Sequence, residues 1–307
     1  MALGTIDTNQ IASEAVTVPK VTDQVLDGRN RIINGSMDIA QRGSSHTTEG
    51  YGSLDRYYLS LSGASSVTMS QQALSTSDRN SLGFQKYLKL AVGTANNNCG
   101  VSQFIEASNC IDLIGKKATI SFYAKGTNPA GGSFTMQPMW YNTSSGGGDN
   151  TVAQSLTVTS SWVKYSFTFD IPAPANTTID NNAYLSNSFL QPAGDTSTTA
   201  WELNLTGLKF EAGDVATPFE HEDYATTLRK CKRYYELLDT TVYPTNYSTV
   251  SLGNFFWTEQ KRVEPTLSVD SNSGGFNLYP EQTSGGYIYK PSQNFSAILN
   301  MRGNSEL

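Results

Sequence analysis

The chain has 307 residues, only 16% of them charged, and a formal net charge of -6. That length accommodates one large domain with a smaller companion. The acidic balance argues against the clustered basic face that phosphate binding needs, so no nucleic-acid partner is expected. No apolar run approaches membrane-spanning length. The start, Met1-Ala2-Leu3-Gly4-Thr5-Ile6-Asp7, has neither the basic nor the apolar region of a signal peptide. Synthesis in a cytoplasm, without membrane insertion, is therefore expected. Cys99, Cys110 and Cys231 have no regular spacing that would suggest a disulfide framework.

In residues 1–30, Ile6, Ile11, Val16, Val18, Val21, Val25 and Leu26 are scattered among small and polar residues. Such a segment buries too little to fold alone. It reads as an arm that orders only against a partner or against copies of itself; the alternative is a loose terminus.

Residues 31–220 are rich in strand patterns. Ala118, Ile120, Phe122 and Ala124 alternate with Thr119, Ser121, Tyr123 and Lys125, which is the period of a half-buried strand ended by Gly126. Val163, Tyr165, Phe167, Phe169 and Ile171 repeat the pattern, and Pro172 and Pro174 stop it. Leu88, Leu90 and Val92 make another strand. Trp201, Leu203 and Leu205 alternate, then the parity flips to Leu208 and Phe210, which predicts a β-bulge near Gly207. Short alternating strands separated by polar glycine loops point to an all-β antiparallel sandwich.

One helix is predicted over residues 223–239, as a connector spanning 221–240. Tyr224, Leu228, Cys231, Tyr235 and Leu238 fall on one apolar seam, and Arg229, Lys230, Lys232 and Arg233 lie mostly off it. Those cations are a solvated face or a partner contact. Residues 241–307 carry short alternating runs around Val250, Leu267, Phe276, Tyr287 and Phe295. They read as a smaller C-terminal β unit that needs neighbours for its core.

Two stretches are more specific than these patterns. The first is Arg31-Ile32-Ile33-Asn34-Gly35-Ser36-Met37-Asp38-Ile39-Ala40-Gln41-Arg42-Gly43. The second is Gly207-Leu208-Lys209-Phe210-Glu211-Ala212-Gly213-Asp214-Val215-Ala216-Thr217-Pro218-Phe219-Glu220. Together they resemble the opening and closing strands of the jelly-roll module of bacteriophage tail and head fibre proteins, which is itself similar to carbohydrate-binding modules. The resemblance extends over residues 31–240 and includes Ser53-Leu54-Asp55-Arg56-Tyr57-Tyr58, Val101-Ser102-Gln103-Phe104-Ile105-Glu106 and Cys231-Lys232-Arg233-Tyr234-Tyr235-Glu236. It implies a jelly-roll sandwich in a homotrimeric virion protein. Residues 1–30 would bind tail or capsid proteins, and the β modules would face a host surface glycan or protein receptor. The related modules often hold a structural calcium. Asp38 fits its first position, but Thr206-Gly207-Leu208-Lys209 has no aspartate, so neither metal nor cofactor is expected.

Sugar modules stack exposed aromatic faces on pyranose rings. Trp140, Tyr141, Tyr184 and Tyr58 are the candidates; the alternative puts Trp162 and Trp201 in the core and Trp140 and Tyr141 at a sandwich edge. Asp55 and Arg56 are expected to form a structural ion pair. In residues 271–294, Tyr279 and Tyr287 stand among Ser, Gly and Asn, a composition suited to recognition, or they fill a trimer core. His46 and His221 have no metal-ligand spacing, no nucleophile or phosphate motif occurs, and Glu106, Asp112, Glu202 and Glu211 lie within the resemblance motifs. No catalytic residue is assigned. The competing functions are a non-catalytic carbohydrate-binding module and a tailspike depolymerase.

Overall fold

The computed structural model describes residues 29–306 except 62–65, 94–98, 130–131, 145–147, 191–199, 243–244, 248–249, 273–276 and 291–296. The arm expected at residues 1–30 lies outside these, apart from its last two residues. So do parts of the expected recognition segment 271–294.

Two antiparallel sheets form the main body. The first is, in spatial order, β1 (Ser45–His46), β3 (Val67–Ala73), β4 (Lys86–Val92), β12 (Trp201–Ala212), β6 (Lys117–Thr127) and β10 (Val163–Asp170). The second is β2 (Tyr58–Ser60), β5 (Gly100–Glu106), β11 (Ala183–Leu190), β7 (Phe134–Asn142) and β8 (Asp149–Asn150), with β9 (Gln154–Leu156) also on β7. The chain changes sheet at most connections, as a jelly roll requires. The alternating residues account for this layering. Ala118, Ile120, Phe122 and Ala124 are buried, and so are Leu88, Leu90, Val92, Trp201, Leu203 and Leu205. Val163 departs from its pattern and is exposed, because it opens the edge strand β10.

The bulge is where the parity flip puts it. The register between β12 and β6 shifts between Thr206 and Lys209, so Leu208 and Phe210 still face the core. Gly207 takes φ +63, and a Cβ there would meet the Phe84 ring at 2.5 Å. Only glycine meets both demands.

The two end motifs meet. Arg31 N–H donates to Phe210 O (2.8 Å) and Leu208 N–H to Gly35 O (2.9 Å). The opening motif is a turn rather than a strand. Asn34, at φ 61, holds that turn by donating to Ile39 O and Asp55 O and accepting from Ile39 N–H. On the closing strand the buried Lys209 ammonium donates to Glu220 (2.6 Å) and Pro218 O (2.8 Å) and lies 3.4 Å from Glu211. Among the described residues no group of three or more His, Cys, Asp and Glu is gathered for a metal ion.

Helix α1 (Thr76–Leu82) lies between β3 and β4 in the chain. Helix α2 is shorter than the seam predicts: it spans Tyr224–Lys232, with Asp223 as its N-cap. Tyr235 and Leu238 belong instead to strand β13 (Tyr235–Val242). Tyr224 is 62% exposed, Leu228 is half-buried and Cys231 is buried. The run from Tyr235 pairs residue by residue with β19 (Ala297–Asn304). Ladder bonds to a distant partner outweigh the local helical spacing of an aromatic and β-branched segment.

The C-terminal β unit therefore begins at residue 235. Strand β16 (Thr266–Asn272) joins β13 and β19 in one sheet. Strands β14 (Thr245–Tyr247), β15 (Val250–Phe256), β18 (Gly285–Lys290) and β17 (Asn277–Gln282) form the other. Its buried residues include Phe255, Trp257 and the ion pair Glu236–Lys261.

Asp55 and Arg56 do not pair with each other. Buried Arg56 pairs with Glu306 and lies 3.5 Å from the centre of the Tyr234 ring. Arg42 reaches the same carboxylate at 3.3 Å. Asp55 accepts from the side chain and backbone N–H of Gln41. Burial raises the Asp55 pKa, against these bonds and the Arg42 charge. The polar cluster thus ties residues 41–56 to the last residues of the described chain, a pairing across 250 positions that adjacency in sequence concealed.

Candidate functional site

The inner face of the second sheet carries Leu59, Val101, Ile105, Leu185, Phe189, Phe134, Met136 and Trp140. Side chains alternate across a strand, so their neighbours point outward. Across this outer face, Tyr58 stands opposite Ser102, Ser102 opposite Ser188, and Ser188 opposite Gln137. The next row is Phe104, Ser186, Met139 and Asn150. The row after it is Glu106, Tyr184 and Tyr141.

The aromatic residues step diagonally from Tyr58 through Phe104 to Tyr184 and then straight across to Tyr141. Tyr51, in the loop before β2, meets Tyr58 edge-on at 5.2 Å between ring centres. Tyr58 meets Phe104 at 5.3 Å, Phe104 meets Tyr184 at 4.7 Å, and Tyr184 meets Tyr141 at 5.5 Å. Diagonal neighbours on a twisted sheet lie within reach of large side chains. The result is a continuous ladder across β2, β5, β11 and β7. Tyr51, Tyr58, Phe104 and Tyr141 are half-buried, while Tyr184 is buried at the centre. Burial, then the neighbouring Tyr141 and Tyr58, push the Tyr184 pKa up to about 12, so it stays a neutral phenol.

Beside the ladder, Ser102, Ser186 and Ser188 form a buried hydroxyl chain. Their Oγ atoms are 2.8 Å apart at each link. Two mutual bonds among three hydroxyls leave acceptor lone pairs and one proton to spare. Half-buried Gln137 and Met139 continue the face.

The Tyr51 loop is held from behind. His46 Nε2–H donates to Gly50 O (3.2 Å), and its Nδ1 accepts from Ser53 Oγ (3.0 Å). Gly50 and Leu59 exchange backbone bonds at 3.0 Å. Burial, and secondarily the Arg42 charge, keep the His46 pKa below its ordinary value, despite the bond to Gly50.

Glu106 closes one end of the face. Arg233 donates to both of its oxygens, at 3.3 and 3.2 Å. Burial acts to raise its pKa, but hydrogen bonds from Arg233 and Tyr234 and the Arg233 charge outweigh that and hold it below the usual carboxylate value.

The structure thus brings Tyr58, Tyr141 and Tyr184 together and removes Trp140 from the set. Trp140 is 0% exposed, on the inner face. Its parity with Phe134 and Met136 already carried that placement. Trp201 is core, but Trp162 is not: it is half-buried, with Tyr87 edge-on at 5.4 Å and Lys125 Nζ 4.9 Å from its ring centre. Tyr51 and Phe104 join the set only in the folded chain. Phe104 has the wrong parity for the core of β5, between Val101 and Ile105, and that is a readable sign of an outward ring. Tyr279 and Tyr287 are backbone partners in the register of β17 and β18. Tyr287 is half-buried, and the Tyr279 side chain lies outside the described residues.

No protein-family model and no curated protein matches the sequence. Among solved structures, the chain is similar to the enzymatically active domain of tailspike protein 4 of bacteriophage CBA120, at 14% identity and a TM-score of 0.37. That match covers 60% of this chain and 22% of the tailspike chain. It is also similar to the family 11 carbohydrate-binding module of the Clostridium thermocellum cellulase Lic26A-Cel5E (14% identity, TM-score 0.34, 58% of this chain and 98% of that one). A third is TmCBM61 in complex with β-1,4-galactotriose, at 8% identity and a TM-score of 0.31, covering 61% of this chain and 100% of that one. The sheet order, the register and the paired end motifs establish an all-β jelly-roll sandwich with a second, smaller β unit.

Proposed function

We propose that the outer face of the second sheet is a non-catalytic glycan-binding platform. The observation that carries this is the aromatic ladder from Tyr51 to Tyr141, laid on the solvent side of a sheet whose core is already complete. Tyr58, Phe104 and Tyr141 keep part of their ring surface open to solvent, where polar residues would serve folding as well. Rings flanked by hydroxyl and amide groups suit a pyranose chain, which is apolar on its C–H faces and hydroxyl-rich at its edges. The neighbouring carboxylate, Glu106, is engaged by Arg233 and acts as a positioning group.

With the fibre resemblance of residues 31–240, the reading becomes a host-contacting bacteriophage fibre protein. Residues 1–30 attach to the virion, and a homotrimer sums weak glycan contacts through avidity. The test is binding of the full chain to host surface polysaccharide by calorimetry. Tyr58→Ala combined with Tyr141→Ala is expected to weaken binding by about thirtyfold while leaving the oligomer and melting curve intact. Undiminished binding in a folded double variant rejects the platform. A monomer by native mass measurement rejects the trimer.

A further inference from the structure

We propose that the glycan recognised by this face carries an anionic substituent, a carboxylate or a phosphate, and that a basic cavity beside the aromatic ladder receives it. The inference rests on the glycan reading above.

The cavity has a volume of about 370 Å³ and lies between the opening turn, the end of β5 and helix α2. That is at the small end of the roughly 300–1,000 Å³ range of ligand pockets. Its charged lining is Arg31, Lys230, Arg233 and Glu106, three cations against one acid in a chain of net charge -6. Glu106 belongs to both places: it lines the cavity and stands opposite Tyr184 in the register. A sugar chain lying over Tyr184 therefore has Glu106, and with it the edge of the cavity, as its next neighbour.

Each cation has an internal partner, but the partners differ in strength. Arg31 pairs with Asp112 at 2.8 Å, and Lys230 pairs with Glu222; the side chains of both pairs are substantially solvated. Such pairs contribute little and yield readily to another anion. The Arg233–Glu106 pair is more enclosed and two-pronged, so it orients the Arg233 guanidinium without freeing it. Arg31 Nε is buried and has no acceptor among the described residues. A bound carboxylate or phosphate is the acceptor type an arginine recognises best. Lys230 of helix α2 and Arg233 just after it thus belong to the binding face, whereas Arg229 and Lys232 turn to Glu259 and Glu236.

The experiment titrates the full chain, in separate arms, with glucuronate, glucose 6-phosphate and glucose, followed by chemical-shift changes at the cavity residues. At least one anion is expected to shift Arg31, Lys230 and Arg233 where glucose does not, and the stronger arm identifies carboxylate or phosphate. Added salt should weaken that response. Arg31→Gln with Lys230→Gln should weaken it by about tenfold or more, the worth of one charge-assisted hydrogen bond. Lys230→Arg should retain it. Polysaccharide binding weakened in Tyr58→Ala/Tyr141→Ala, with the anion response intact, supports both sites. No response to either anion, or an equal response to glucose, overturns the anion site. The platform survives that result if polysaccharide binding still depends on Tyr58 and Tyr141.

Discussion

The two sheets share one core and turn different surfaces outward. On the first sheet the outer residues include the ion pairs Lys89–Glu202, Lys125–Asp78 and Lys117–Asp170, beside separate ring contacts of Tyr87 with Trp162 and of Tyr123 with Phe84. Its one half-exposed tryptophan, Trp162, is already engaged, with Lys125 near its ring and Nε1–H donating to Asp78 at 3.3 Å. On the second sheet the outer residues are a ring ladder and a serine chain. Alternation satisfies the core equally on both sides, so folding does not explain the difference. Solvation accounts for the charged face; on the proposed function, a glycan accounts for the aromatic one.

Several changes would break or sharpen this contrast. The largest effect is expected from Trp140→Ala, which empties the inner face directly behind the ladder. Removing a buried aromatic costs about 3–5 kcal/mol. Denaturant unfolding should show that loss, and platform binding should fall with it. If the variant unfolds like the parent, Trp140 does not support the face.

Glu106→Gln comes next, at about 1–3 kcal/mol near neutral pH, because it removes an acceptor of charged hydrogen bonds. The folded pKa of Glu106 lies below its unfolded value. Its stabilisation is therefore present above the ordinary carboxylate pKa and is lost as pH falls through the folded one. Glu202, held down by Lys89 and Asn204 against the effect of burial, has the same sign. It is more exposed, so salt should erase the Glu202 contribution and spare that of Glu106. Melting curves against pH, at low and high salt, check both claims. Equal salt sensitivity would contradict the contrast in burial.

Tyr58→Ala and Tyr141→Ala should each cost about 1 kcal/mol of glycan binding, the worth of one aromatic contact. Trp162→Ala, on the other sheet, should leave binding unchanged. A binding loss in Trp162→Ala would move the platform to the wrong face. The smallest effect is expected for Lys89→Ala, which breaks an exposed ion pair worth below about 1 kcal/mol. A larger change in melting would show that the charged face is more than solvated surface.

Much of the sandwich was legible because period-two alternation is a local property. Val92, Phe122 and Leu203 declare their face from their immediate neighbours, and the bulge at Gly207 follows from one flip of parity. The same rule, applied to Phe134, Met136 and Trp140, places the tryptophan inside; its polar surroundings in sequence point the wrong way. The end of helix α2 was not legible. Tyr235 and Leu238 satisfy helical spacing and strand pairing equally well, and β19, some 60 residues later, decides between them. Arg56 beside Asp55 was equally ambiguous, because a charged side chain pairs with what is near in space.

The sequence by itself determined that this is a strand-rich sandwich with opening and closing motifs, a glycine-dependent bulge and a short second β unit. Those features depend on residues a few positions apart, or on a composition that admits one backbone conformation. Only the tertiary structure decided which aromatics share a surface. Phe104, Tyr184 and Tyr141 come from three separate strands, and the register of β5, β11 and β7 brings them into contact. Register is a property of strand pairs, and a one-residue slip in any pair would turn its rings to the opposite face.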